Sequence, residues 1–173
     1  MVLRTLGGLL ILISGSLIGW LISLQYSKRI VQLQQLQLAL NIFETEISYT
    51  QKILADTLQT IGEKLDEPLA ILFKNTARKL TTNQSQLFFE IWQQELQNNQ
   101  QLNCLSPTDN KILKEWGQQL GISGITGQQN INKLTVKRLE YAEKQAKKIA
   151  ASRIKLSRYG GVLLSLLLIL LLY

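Results

Sequence analysis

The sequence has 173 residues, a net charge of +7, no histidine and one cysteine. Without histidine the commonest general base and metal ligand is missing, and a lone Cys104 excludes both an internal disulfide and a cysteine-based zinc site. Proline appears only at positions 68 and 107, and glutamine, leucine and isoleucine abound, which favours helix over sheet.

The first element is a charge-free run from Thr5 to Ser27. A membrane-crossing helix needs about 20 residues, and lipid favours a helix because it satisfies its own backbone. Trp20 and Tyr26 stand towards its end, where rings favour the interface, and Lys28 and Arg29 stop it. The run exceeds the core of a cleaved signal peptide, and no A-x-A-like site follows. We read residues 1–27 as an uncleaved anchor. Gly15 and Gly19 form a G-x-x-x-G pair within it. Small residues on one face let another helix approach, so the pair is a candidate for helix packing.

From Lys28 onward no breaker interrupts the pattern. Leu33, Leu36, Leu40, Phe43, Ile47, Thr50 and Leu54 lie on one helical stripe. Glu44 and Glu46 flank it on opposite sides, so they do not converge as a catalytic pair. They are candidates for pairing with a neighbouring helix or a partner, together with Tyr49. A second seam is expected at Leu54, Leu58 and Ile61, before Gly62. Periodicity does not locate a break near Tyr49–Lys52.

Asp66 is the expected cap of the next helix, with Pro68 in its first turn. Its face would be Leu69, Leu72, Phe73, Thr76 and Leu80. Leu87, Phe88, Ile91, Trp92 and Leu96 form the following stripe, and residues 97–103 a polar connector. Ser106-Pro107-Thr108-Asp109 opens another helix with a near capping box. Ile112, Leu113, Trp116 and Leu120 are its expected buried face, and Gly121 its end. The last helix is expected to start near Gln128 and to bury Ile131, Thr135, Leu139, Ala142, Ala146 and Ile149.

Between Lys133 and Arg158 nine residues are basic and two acidic. The block abuts a second charge-free run, Tyr159–Tyr173, which is 15 residues long. We read residues 159–173 as a second anchor, lengthened by snorkelling of Lys155 and Arg158. A tail lying in the interface is the alternative. Basic residues at membrane ends mark the cytoplasmic side. Lys28, Arg29, Lys147, Lys148, Arg153, Lys155 and Arg158 therefore place residues 28–158 in the cytoplasm, near anionic lipid. Nucleic acid is not an expected partner, since neither a recognition motif nor a stacking pattern accompanies the charge. The sequence also lacks a phosphate-cradling glycine motif. We therefore expect no catalytic residue, cofactor or metal.

The segment Leu38–Tyr49, LALNIFETEISY, resembles the "ALxxLETEIxY" stretch of the stage III sporulation protein AB family. Leu120-Gly121 followed by Ser123, and the Tyr159-Gly160 junction, are similar too. The sequence departs from the family pattern at Phe43, at Thr50-Gln51 and in the GITGQQ run after Leu120-Gly121. The resemblance implies an all-α protein: a cytoplasmic bundle of about six helices flanked by N- and C-terminal transmembrane helices, like the platform proteins of type II secretion and type IV pilus machines. It also implies a place in the mother cell–forespore channel complex, beside other membrane channel components, with a cytosolic secretion-type ATPase as partner. A membrane-tethered adaptor, acting through the basic helix on lipid, is the alternative function.

Overall fold

The computed structural model describes the backbone of residues 2–49, 53–83, 85–99, 102–120 and 125–172; side chains are not described for residues 1–13, 15, 16, 18–20, 22, 23, 49, 125, 126 and 153–173. The described residues are all-helical and contain no strand. The helices are α1 (Val2–Tyr49), α2 (Leu54–Lys64), α3 (Leu69–Thr82), α4 (Phe88–Asn98), α5 (Pro107–Leu120) and α6 (Ile125–Leu172). The first charge-free run falls inside α1 and the second, up to Leu172, inside α6, and neither is a separate helix. The chain divides into two compact units, Val31–Lys144 and Met1–Ile30 with Gln145–Tyr173.

In the unit Val31–Lys144 the expected stripe of α1 is largely the core. Leu33, Leu36, Leu40 and Phe43 are buried, joined by Ala39, while Ile47 is half-buried. Ala55, Thr57, Leu58 and Ile61 bury one face of α2. Gly62 lies buried inside that helix, which continues to Lys64. A Cβ there would stand 2.6 Å from Cγ of Lys74 and 3.0 Å from the Ala70 carbonyl, so the missing side chain lets α3 approach α2 closely.

The start of α3 differs from expectation. Pro68 is the cap residue and no side chain caps the helix. The Glu67–Pro68 peptide is cis. The Asp66 carboxylate instead accepts a bond from Gln35 Nε2 at 2.7 Å, so it ties the turn to α1. Leu87 is 70% exposed, because it precedes α4 as its extended cap residue. Glu95 joins the buried face of α4, where Lys79 meets its carboxylate at 2.6 Å. Burying a carboxylate is costly unless it is paired, and periodicity alone gave no sign of this one. The polar connector is also shorter than expected, since α4 continues to Asn98.

The capping box at α5 forms as expected. Ser106 N–H donates to Asp109 Oδ2 at 2.8 Å, and Asp109 N–H donates to Ser106 Oγ at 3.2 Å. Two helix-start donors are thus satisfied reciprocally, although Asp stands where the motif has Glu or Gln. Ile112, Leu113, Trp116 and Leu120 are buried; Gly121 lies outside the described residues. In α6 the buried stripe is Asn132, Thr135 and Leu139, with Ala142. Asn132 displaces the expected Ile131 because its Nδ2 donates to the Leu40 carbonyl at 2.8 Å.

Aromatic rings from α1, α3, α4 and α5 meet at the centre. Trp92 lies 5.2 Å from Trp116, 5.4 Å from Phe73 and 6.1 Å from Phe88. Trp116 lies 5.4 Å from Phe43. Trp92 Nε1–H donates to the Leu113 carbonyl at 2.9 Å. That reach depends on Gly117: a Cβ there would overlap Cδ1 of Trp92 and lie 2.8 Å from its Nε1. Gly117→Ala is expected to destabilise the fold by about 1–3 kcal/mol through overpacking. Thermal unfolding of the full chain checks this, and a Trp92→Leu background is expected to shrink the effect, as coupled neighbours do.

In the unit formed by Met1–Ile30 and Gln145–Tyr173, Leu17 and Leu21 are exposed and Ala146 and Ala150 are buried. Ile149, expected on the buried stripe, is 42% exposed. Among the described residues no helix is long and apolar enough to cross a membrane. Most side chains of the two charge-free runs lie outside those residues.

Candidate functional site

Six of the sequence-derived candidates have described side chains: Lys147 and Lys148 on α6, and Lys28, Arg29, Glu44 and Glu46 on α1. The α1 run Gln32-Leu33-Gln34-Gln35-Leu36-Gln37 buries Gln32 with the two leucines and turns its other amides in several directions. Gln32 accepts from Cys104 Sγ at 2.8 Å, which makes Cys104 a half-buried, hydrogen-bonded thiol. Gln35 reaches Asp66. Gln34 and Gln37 both donate to Glu143, one to each carboxylate oxygen, at 2.7 and 2.8 Å. Positions 34 and 37 lie on one side of a helix and 35 on another, so α1 is gripped from both flanks.

The seam with α6 continues towards the end of α1. Asn132 bonds the Leu40 carbonyl. Glu44 pairs with Lys133 at 3.4 Å, and Gln129 Nε2 donates to Ser48 Oγ at 2.9 Å. Glu44 therefore spends its charge on the neighbouring helix, yet its side chain keeps 28% exposure. Glu46 is half-buried. Tyr49 ends α1, with its side chain outside the described residues.

A second ionic contact joins α5 and α6. Arg138 Nη1 donates to Glu115 Oε2 at 2.6 Å, and Lys111 stands 3.9 Å from the other oxygen. The hydrogen bond from Arg138 holds the Glu115 carboxyl below its ordinary range against the opposing effect of burial, and the charges of Arg138 and Lys111 lower it further. A depressed carboxylate stabilises the fold above its unfolded pKa, about 4.3, and loses that contribution as pH falls through the folded value. Arg138→Ala is expected to return the Glu115 titration towards the ordinary value, as followed by carboxyl NMR. The stability gap between the native chain and this variant should close as pH drops from about 6 to about 3.

Among the membrane-proximal basic candidates, Lys28, Lys147 and Lys148 are exposed and Arg29 is half-buried. Arg153, Lys155 and Arg158 belong to α6, with their side chains outside the described residues, and the same holds for Gly15 and Gly19 within α1. A cleft of about 440 Å³ opens between the end of α4 and the start of α5. Its wall combines apolar Leu96, Leu102 and Pro107 with side-chain amides, Lys111 and Lys114, which offers no acid–base pair. Among the described residues no group of His, Cys, Asp and Glu is arranged to hold a metal ion.

These features define a class: a small all-helical bundle protein with an aromatic core and a polar seam between its long first and last helices. The chain belongs to the stage III sporulation protein AB family, whose model matches residues 4–173. Stage III sporulation protein AB of Bacillus subtilis (strain 168) is 32% identical over 170 residues, covering 98% of this chain and 99% of that protein. A solved structure of a stage III sporulation protein AB superposes with a TM-score of 0.64 at 30% identity, covering 71% of this chain and 96% of that one. Membership gives the chain a sporulation-related role, in a family that is not a known enzyme family.

Proposed function

We propose that the chain is a membrane-anchored platform of the mother cell–forespore channel complex, which docks a cytosolic secretion-type ATPase and works without catalysis of its own. The observation that carries this reading is the family match across residues 4–173, which includes both charge-free runs as well as the helical bundle. In this reading residues 1–27 and 159–173 anchor the chain in the cell membrane. The bundle lies in the cytoplasm on the mother-cell side, where the excess of basic residues beside both runs would hold it. Lys28, Lys147 and Lys148 are exposed, as contact with anionic lipid requires.

The docking face assigned to the ATPase is the end of α1, at Glu44, Glu46 and Tyr49. Exposed ion pairs contribute at most about 1 kcal/mol, so breaking the Glu44–Lys133 contact leaves the bundle folded. A full-length Glu44→Arg, Glu46→Arg, Tyr49→Ala chain is therefore expected to keep its helical content while losing capture of the ATPase and sporulation in cells. Undiminished capture by a folded variant would overturn the docking assignment.

Topology is read independently through Cys104. A membrane-impermeant maleimide is expected to label it only after cells are permeabilised, with a denatured sample showing full reactivity of the thiol. Labelling in intact cells would put the bundle outside and remove a cytosolic ATPase as direct partner.

A further inference from the structure

Several large apolar side chains of the unit Val31–Lys144 stand in solvent, among them residues of α6 and the cap of α2. On α6, Leu134 is 58% and Tyr141 66% exposed; on α2's cap, Ile53 is 75% exposed. The residues around them follow one pattern. Leu134, Lys137, Tyr141 and Lys144 lie at steps of three, four and three, on one stripe of α6, and all four are exposed. Asp56, Thr60 and Glu63 follow steps of four and three along α2, preceded by Ile53 as the extended cap residue three positions before Asp56, with only Thr60 half-buried. Each stripe thus begins with an aliphatic residue and places two like charges seven residues apart. At 1.5 Å per residue the charges stand about 10.5 Å apart on both helices. The signs are opposite: two lysines on α6, two carboxylates on α2. Asp66 and Glu67, both exposed, extend the acidic side.

Neither charge set is consumed within the chain by the other. Gln35 ties α1 to Asp66, directly after α2, whereas Gln34 and Gln37 tie α1 to Glu143 on α6. These attachments point about 130° apart around α1, at 100° per residue. The acidic stripe and the basic stripe therefore belong to different flanks of the bundle. Lys137 and Lys144 have no ion-pair partner among the described residues.

We propose that copies of this chain associate head to tail, with the Leu134–Lys137–Tyr141–Lys144 face of α6 seated on the Ile53–Asp56–Thr60–Glu63 face of α2 of the next copy. The matched spacing lets both lysines meet both carboxylates at once, while Tyr141 and the aliphatic residues leave water. Because the two faces differ, each copy uses one face in a single contact and keeps the other, so the pair retains one of each. Such an interface is heterologous and propagates into a ring or an open array instead of stopping at a symmetric dimer. This does not depend on the ATPase reading and survives its failure.

The test uses the full chain in detergent micelles, in a Cys104→Ser background that keeps a donor for Gln32. A tagged Thr60→Cys copy is mixed with a Tyr141→Cys copy and treated with a short bismaleimide. The mixed cross-link is expected to exceed either like-with-like product. It should fall at least tenfold when the Tyr141→Cys copy also carries Lys137→Glu and Lys144→Glu. It should return when the Thr60→Cys copy carries Asp56→Lys and Glu63→Lys, a rescue that misfolding cannot produce. Raising salt to about 0.5 M should weaken it too, because exposed charges are screened. A dominant product between two Tyr141→Cys copies would overturn the proposal in favour of symmetric pairing. Cross-linking that is indifferent to both reversals would also overturn it. So would its absence in chains whose binding to phosphatidylglycerol vesicles is lost on lysine reversal, which would make lipid the occupant of the α6 face.

Discussion

The contact between Trp92 and α5 is the constraint on which the bundle depends. An indole is the bulkiest side chain a core must house, and its N–H demands an acceptor when buried. Here the acceptor is a helix carbonyl, Leu113 O, and the indole can reach it because residue 117, one turn on, has no side chain. The same approach sets Trp92 beside Trp116, and Trp116 against Phe43 of α1. One missing methyl group thus fixes the spacing of α4 and α5 and, through the second indole, the seat of α1. The Trp116 Nε1–H finds no acceptor among the described residues, so in this pair Trp92 makes the directional bond and Trp116 contributes shape.

α1 has a second role, which its composition explains. A helix rich in glutamine would be a weak amphipath if its amides only faced water. In residues 32–37 the leucines enter the core and the amides bond Cys104, Glu143 and Asp66. Glutamine suits this because it is a good helix former whose amide carries both donors and an acceptor. The bundle is consequently held on one side by apolar burial and on two flanks by amide–carboxylate bonds. Side chain to side chain bonds are the minority kind in most folds, so this division of labour is characteristic of the chain.

Much of the fold was legible in the sequence because helical periodicity survives into burial. The α1 stripe, the α3 and α5 faces and the Ser106–Asp109 box rest on local rules, and the structure follows them. What sequence reasoning missed depends on partners distant along the chain. Asp66 looked like a cap but serves Gln35. Asn132 was absent from the expected stripe of the last helix but is buried, bonded to a carbonyl 92 residues away. Glu95 is buried because Lys79 approaches it, and Gly117 reads as an ordinary helix glycine until the indole it admits is known. For the candidate site, the flanking positions of Glu44 and Glu46 were legible from spacing. The partner of Glu44 was not, since no local rule selects Lys133 from the other lysines of α6.

The seam between α1 and α6 has a mechanical side. Its ties are spread along α1 from Gln34 to Ser48, about 21 Å of helix at 1.5 Å per residue. A force that slides one helix along the other must strain every tie together, because each is anchored to both helices. A force that lifts one end away strains them singly, beginning with the Gln129–Ser48 bond or the glutamine clasp on Glu143. The seam resembles a zip fastener, stiff lengthwise and easily opened from an end. Within this bundle α1 and α6 can carry axial load as one strut, and the direction of loading decides whether the seam holds.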